Sequence, residues 1–294
     1  MASATANGIT IEYDVRGHDD GEPLLLVMGL GGQLTDWPSE FVDLLVDEGY
    51  RVIRLDNRDA GLSTGFDWEP PSMAKVALMM ATHVKPKAGY LLRDMADDAA
   101  GLLDALGIES AHVVGASMGG MIAQHLAIDH PAKVKSLTSV MSTTGSRKHG
   151  KPERRLLAKA ARLPEPSREN ALERAVEMFR LVSGRDFDEA EFRSLTEANI
   201  ERSYRPEGTG RQMIAIMASP DRTEALGKVT APTLVVHGLA DPLVRPSGGI
   251  ATARAVPGSR LVMYPEMGHD LPRERWTEVV TAISLLAERA ARAA

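Results

Sequence analysis

The stretch Ala111-His112-Val113-Val114-Gly115-Ala116-Ser117-Met118-Gly119-Gly120 decides the fold of this chain. An apolar strand runs into Gly-x-Ser-x-Gly, and a helical pattern from Gly119 to Asp129 follows, stopping before Pro131. A serine at such a strand-to-helix turn sits on strained backbone. Glycine is needed at 115 and 119, because a side chain at either would collide with the neighbouring element as strand becomes helix. The turn lifts the Ser117 hydroxyl out of the strand end and sets it at a helix N-terminus, where developing negative charge is favoured. The competing reading is the tight turn of a nucleotide-binding fold, which needs glycine at 117 and finds serine. The other glycine cluster, Gly29-Leu30-Gly31-Gly32, has Leu34 where a last glycine would stand. Neither cluster is a Walker loop.

Outward from this turn, short apolar runs alternate with longer helical patterns. Ile9 to Val15 alternates apolar and polar residues and reads as a half-buried strand. Leu24 to Met28 is continuously apolar between Pro23 and Gly29, the pattern of a fully buried central strand. Arg51 to Leu55, Ala111 to Val114, Val134 to Met141, Thr233 to Val236 and Arg260 to Tyr264 complete the expected strands. Helices are expected over Pro38 to Glu48 (start signal at Asp36), Asp94 to Leu106, Gly119 to Asp129, and from Glu274 onward. Such alternation implies an α/β fold with a mostly parallel sheet and helices on both faces.

One stretch breaks the alternation. Residues 145–227 show no convincing strand, are highly charged, and are punctuated by Pro164, Pro166 and Pro206. We read them as a helical cap inserted between two parts of one core, 1–144 and 228–294. From Arg147 to Arg162 this segment holds seven basic residues against one acid, Glu153. A solvated helix face explains such a run, and an anion-binding cap surface is the alternative.

Composition excludes several chemistries. The chain has 294 residues, 44% hydrophobic and 25% charged, which is globular composition. It has no cysteine, which excludes disulfides, thiolate metal sites and a sulfur nucleophile. A net charge of −6 and 4% aromatics give neither the electrostatic footprint nor the stacking platforms of a nucleic-acid binder. No apolar run reaches the length of a membrane span. The first residues lack the features of a secretory signal. The expectation is a cytoplasmic protein without cofactor or metal.

A serine hydroxyl needs a base. Of eight histidines, His18, His83, His112, His125, His130 and His149 read as surface or packing residues. His237 ends an apolar strand and reads as a core or turn residue. His269 differs: it lies in Pro265-Glu266-Met267-Gly268-His269, past the strand Arg260 to Tyr264. Open α/β sheets place ligands at such C-terminal strand ends. Asp241 lies past the strand Thr233 to Val236, where an ordinary turn aspartate before proline is the alternative. Asp270 and Glu266 are rival acids, but a neighbour rarely bends back to the same ring. Acyl transfer also needs donors for the developing oxyanion. The backbone N–H groups of Met118 and Leu30 are the candidates, because the glycines around Leu30 let backbone approach a substrate. Gly29 and Gly31 are then candidate pocket residues. Met79 and Met80 are too, from an apolar segment that core packing would equally explain.

The order Ser117, Asp241, His269 differs from the orders in the two serine-protease types. Together with Leu-Leu-Leu-Val-Met-Gly-Leu-Gly-Gly (24–32), Asp-Asn-Arg-Asp-Ala-Gly-Leu-Ser (56–63), Val-Val-Gly-Ala-Ser-Met-Gly-Gly (113–120), His-Gly-Leu-Ala-Asp (237–241) and Gly-His (268–269), it resembles the α/β-hydrolase superfamily over nearly the whole chain. The likeness is to the serine esterase branch that includes aclacinomycin methylesterase-like and proline iminopeptidase-like proteins. It implies a serine hydrolase acting on a small-molecule carboxylic ester. Lactonase, thioesterase, amidase or peptidase and perhydrolase chemistry would use the same residues, and a non-catalytic binding protein on this fold is a further alternative. Two positions depart from the pattern. Met28 stands where many members have histidine, and Asp59 where many have glycine.

Overall fold

A computed structural model describes residues 1–82 and 84–292; for Met73, Ala74, Ala77, Met80 and Ala81 it describes the helical backbone alone. His83 therefore lies outside the described residues. Eight strands form one sheet: β1 (Ala2–Ala6), β2 (Ile9–Arg16), β3 (Glu22–Val27), β4 (Tyr50–Leu55), β5 (Ala111–Ala116), β6 (Val134–Val140), β7 (Thr233–Gly238) and β8 (Arg260–Tyr264). Their order is β1-β2-β4-β3-β5-β6-β7-β8. The pairs β1–β2 and β2–β4 are antiparallel, and every pair from β4 to β8 is parallel. The α/β architecture with a mostly parallel sheet is thus as expected.

Eleven α-helices are described: α1 (Ser39–Asp47), α2 (Met73–Thr82), α3 (Leu92–Ala105), α4 (Met118–Asp129), α5 (Arg154–Ala160), α6 (Ala171–Val182), α7 (Glu189–Arg202), α8 (Pro206–Ala218), α9 (Thr223–Leu226), α10 (Ser247–Ala255) and α11 (Trp276–Ala291). On β3, Leu25 and Val27 pack with residues of α3 and α4, while Leu24 and Leu26 pack with α1 and α11. All four are fully buried, which is why this strand is apolar without alternation. Each such side chain contributes about 1.5–3 kcal/mol.

Two expectations shift, and one strand was not expected. β1 is an edge strand of alanine, serine and threonine that carries no apolar alternation to read. β6 ends at Val140 because Met141 turns to φ +43°. Asp36 does not start α1, whose cap is Pro38; it closes a single 3₁₀ turn, accepting the Gln33 N–H at 2.7 Å.

Between β6 and β7 the described chain holds five helices and no strand. Their own small core includes Phe179 stacked on Phe192 at 4.0 Å between ring centroids. Lys151, Arg154, Arg155, Lys159 and Arg162 of the basic run are exposed, which both the solvated-face reading and its anion-binding alternative require. In the Met73 to Met80 segment, Val76 is buried but Leu78 is 62% exposed, so core packing does not account for all of it.

Candidate active site

Ser117 caps α4 with φ 56° and ψ −117°, a conformation that costs a non-glycine residue about 1–3 kcal/mol. The neighbours hold it there. Its N–H donates to Val140 O at 2.9 Å, and the Ser142 hydroxyl donates to Ser117 O at 2.8 Å. A Cβ on Gly115 would overlap the Gly119 carbonyl, and one on Gly119 would overlap the Val27 carbonyl. Strand β5 and helix α4 can meet at this angle only if both positions are glycine.

His269 Nε2 lies 2.9 Å from Ser117 Oγ, and His269 Nδ1 lies 2.7 Å from Asp241 Oδ2. The carboxylate only accepts, so Nδ1 carries the proton and Nε2 is left to accept from the serine hydroxyl. Asp241 Oδ1 accepts the N–H groups of Leu243 and Val244, each at 2.9 Å. Both Asp241 and His269 are buried. The fully buried His237 donates through Nε2 to Val244 O at 2.7 Å and stands 3.6 Å from Asp241 Oδ2. Burial holds its pKa below the ordinary imidazole value. The rival acids are engaged elsewhere. Asp270 accepts from the N–H groups of Gly184 and Gly268, and burial raises its pKa. Glu266 pairs with Arg185.

The loop after β3 runs against the serine: a Cβ on Gly29 would lie 3.2 Å from Ser117 Cβ. Gly32 N–H donates to Gly29 O at 3.2 Å, and Gly31 has φ +70°, so Gly29 to Gly32 forms a type II turn with Leu30 and Gly31 at its centre. Among the described residues, neither the Leu30 N–H nor the Met118 N–H has a hydrogen-bond partner. Met28, in place of the usual histidine, has its carbonyl bound by the Asn57 side chain at 2.9 Å. Asp59, in place of glycine, adopts φ +67° and is buried. It holds Arg211 of α8 through both oxygens, at 2.9 and 3.0 Å, and accepts from Tyr90 Oη at 2.7 Å. These bonds offset the strain that glycine would avoid.

Ser117, Asp241, His269, Gly29, Leu30 and Met118 therefore lie at the C-terminal ends of the strands, as the sequence predicts. Gly31 turns instead toward α8, where its N–H donates to Gln212 Oε1 at 2.8 Å and a Cβ would crowd Thr209. Met79 is half-buried on α2, and the side chain of Met80 lies outside the described residues.

Several residues that sequence reasoning missed brace this site from the helices between β6 and β7. Gln33 donates to Asn199 O and Ser203 O at 2.7 and 3.0 Å and accepts from Arg202 at 2.6 Å. Arg202 also holds the fully buried Asp56 at 2.8 Å, which in turn accepts the Leu34 N–H at 2.7 Å. Val182 O accepts the His269 N–H at 2.7 Å. Single polar residues this far from their partners leave no motif to find. Among the described residues no group of three or more His, Cys, Asp or Glu could hold a metal ion, and no helix is long and apolar enough to cross a membrane.

A mostly parallel sheet with a serine on the strand-to-helix turn, a histidine and an aspartate past later strands is the arrangement of one class. The chain belongs to the α/β-hydrolase fold family, whose sequence model matches residues 22–274. Rhodomycin D methylesterase DnrP of Streptomyces peucetius is 31% identical over 291 residues, covering 91% of each chain. A putative carbamate hydrolase, RutD of Variovorax paradoxus, is 30% identical over 260 residues, covering 88% of this chain and 89% of that one. A thermophilic esterase from Thermogutta terrifontis superposes with a TM-score of 0.71 at 26% identity, covering 99% of each chain. The relatives support a hydrolase with esterase character.

Proposed function

We propose that the protein is a serine hydrolase that cleaves carboxylic esters of small to medium size through an acyl-enzyme. The observation that carries this reading is the line of contacts from Ser117 Oγ to His269 Nε2 at 2.9 Å and from His269 Nδ1 to Asp241 Oδ2 at 2.7 Å. Ser117 attacks the ester carbonyl as His269 takes its proton. Asp241 holds the imidazole in the productive tautomer and stabilises the imidazolium. The free N–H groups of Leu30 and Met118 receive the oxyanion. His269 then protonates the leaving alcohol and activates the water that releases the acid. The reaction calls on no cofactor or metal. In the same reading, residues 145–227 are a cap, with the substrate pocket between cap and core. The names of the methylesterase and esterase relatives favour an ester over a lactone, thioester or amide.

The test is hydrolysis of p-nitrophenyl esters of increasing acyl length beside lactone and amide substrates. A fluorophosphonate should form its adduct on Ser117, located by mass spectrometry. Ser117→Ala should lose roughly 10⁵-fold or more in kcat. An adduct elsewhere, or esterase activity that survives Ser117→Ala, sinks the proposal.

A further inference from the structure

The turn that carries the Leu30 N–H is closed on one side by a residue outside the α/β core. Gln212, on α8, is fully buried and makes two hydrogen bonds. Its Oε1 accepts the Gly31 N–H at 2.8 Å, and its Nε2 donates to Arg58 O at 2.7 Å. The orientation of the amide is unambiguous, because an N–H on one side needs the oxygen and a carbonyl on the other needs the nitrogen.

The bond to Gly31 falls on the one peptide of this turn that can reverse. In a type II turn the peptide between the two central residues, here Leu30 and Gly31, points one way. Rotating it by half a turn gives type I, with φ at the third residue negative. Glycine tolerates both signs of φ, so Gly31 cannot select between them. The Gly32 N–H to Gly29 O bond is compatible with both forms and does not select either. Gln212 Oε1 faces an N–H only in the observed form; in the other it would face the Leu30 carbonyl, an acceptor against an acceptor in a buried site.

We propose that Gln212 is a positioning residue: by holding the Gly31 N–H it locks the turn that presents the Leu30 amide to the oxyanion. This rests on the hydrolase reading above. It makes the seating of α8 and the assembly of the oxyanion hole one event. Reversal of that peptide leaves φ of Leu30 and its N–H in place; what the bond also supplies is the tie of the turn to α8, and a turn untied from α8 shifts as a body, which leaves ground-state binding intact and misplaces a donor needed in the transition state. A shift of about 1 Å in such a group lowers the rate by roughly 100-fold, and loss of one oxyanion donor by roughly 10²–10³-fold.

Gln212→Met keeps the length of the side chain and removes both polar atoms. Its kcat/KM on p-nitrophenyl butyrate, per active site titrated with fluorophosphonate, should fall roughly 10–100-fold. Affinity for an alkylboronic acid, which forms a tetrahedral adduct on the serine, should fall by the same factor. Affinity for butyramide should stay within about 3-fold. Loss per titrated site under about 3-fold, or boronate and amide affinities that fall together, overturns the proposal. If Gln212→Met does not fold, Gln212→Glu decides. Ionised or protonated, its carboxyl group still accepts the Gly31 N–H, and only the bond to Arg58 O depends on protonation, so kcat/KM per titrated site should stay within about 3-fold of wild type. A loss per titrated site as large as roughly 10-fold, with the Gly31 acceptor retained, overturns the proposal. Inactive Ser117→Ala beside unimpaired Gln212→Met sinks this inference alone, whereas active Ser117→Ala sinks the hydrolase reading beneath it.

Discussion

The serine turn and the glycine loop after β3 touch each other, yet they are held in opposite ways. The turn at Ser117 is shaped by backbone: two glycines that admit no Cβ, the Val140 carbonyl and the Ser142 hydroxyl. All of its supports belong to the core sheet and the elements beside it. The loop from Gly29 to Asp36 is held at Leu34 by Asp56 of the core and otherwise by side chains from α7 and α8. Gln212 lies 181 residues from Gly31, and Asn199 166 residues from Gln33. The difference separates two tasks. If Ser117 is the nucleophile proposed above, it is held strained and rigid by the core in every state of the protein. In the proposed reaction, donors for the oxyanion are needed only once substrate is enclosed, and this loop takes its shape from the segment proposed to enclose it.

The comparison is broken most severely at Gly119. A Cβ there meets the Val27 and Met28 carbonyls, which are backbone and cannot rotate away. Gly119→Ala should lower unfolding free energy by about 3 kcal/mol or more and reduce kcat/KM by over roughly 10³-fold in whatever remains folded. Urea unfolding and kinetics on the same preparation check both. A folded, active Gly119→Ala would mean that the turn is not held by close backbone contact.

Next in size is Arg202→Met. It strips the cation from Asp56, which is fully buried and then keeps only backbone partners, including the Leu34 N–H. Removing one member of such a pair costs about 3–5 kcal/mol, because the other charge stays buried alone. The cost should shrink by more than half in the double variant Asp56→Asn with Arg202→Met, which removes both charges. Equal losses in the single and double variants would show that Arg202 acts through Gln33 or through packing and not through Asp56.

What the sequence revealed follows the same divide. The strand runs, the glycines at 115 and 119, and Ser117, Asp241 and His269 were legible because each is specified within a few residues: an apolar run, a turn, a chemically committed side chain past a strand end. β1 was not legible, because its small polar residues pair along an edge and bury little. The bracing of the loop was not legible either. Gln33, Asn199 and Gln212 are ordinary polar residues until the fold brings them together, and Asp36 looks like a helix start until Asn199 arrives. Asp59, seen as a departure from a glycine pattern, proves to be a buried anchor for Arg211 of α8.

The gentlest probe is Asp36, which stands where the loop meets α7. Its carboxylate accepts the Gln33 N–H and the Asn199 side-chain N–H, both at 2.7 Å. Burial outweighs these bonds and pushes its pKa from the ordinary 3.8 up to about 6. The folded state therefore holds this proton more tightly than the unfolded chain does. Between about pH 4 and pH 6 folding takes up a proton here, so the contribution of this group to stability falls as pH rises through that window and is lowest above it. Asp36→Asn cannot titrate. Subtracting its unfolding free energy from that of wild type at pH 4, 5, 6 and 7 isolates the one group. The difference should turn against wild type by no more than about 3 kcal/mol across the series, and by less to the extent that the side chain still meets solvent along one edge. Above pH 6 the variant gives up one acceptor but also the cost of a buried charge, so its stability there should lie near wild type. A difference that stays flat with pH would mean that α7 does not enclose the loop at Asp36, and the contrast with the serine turn would then rest on Gln33 and Gln212 alone.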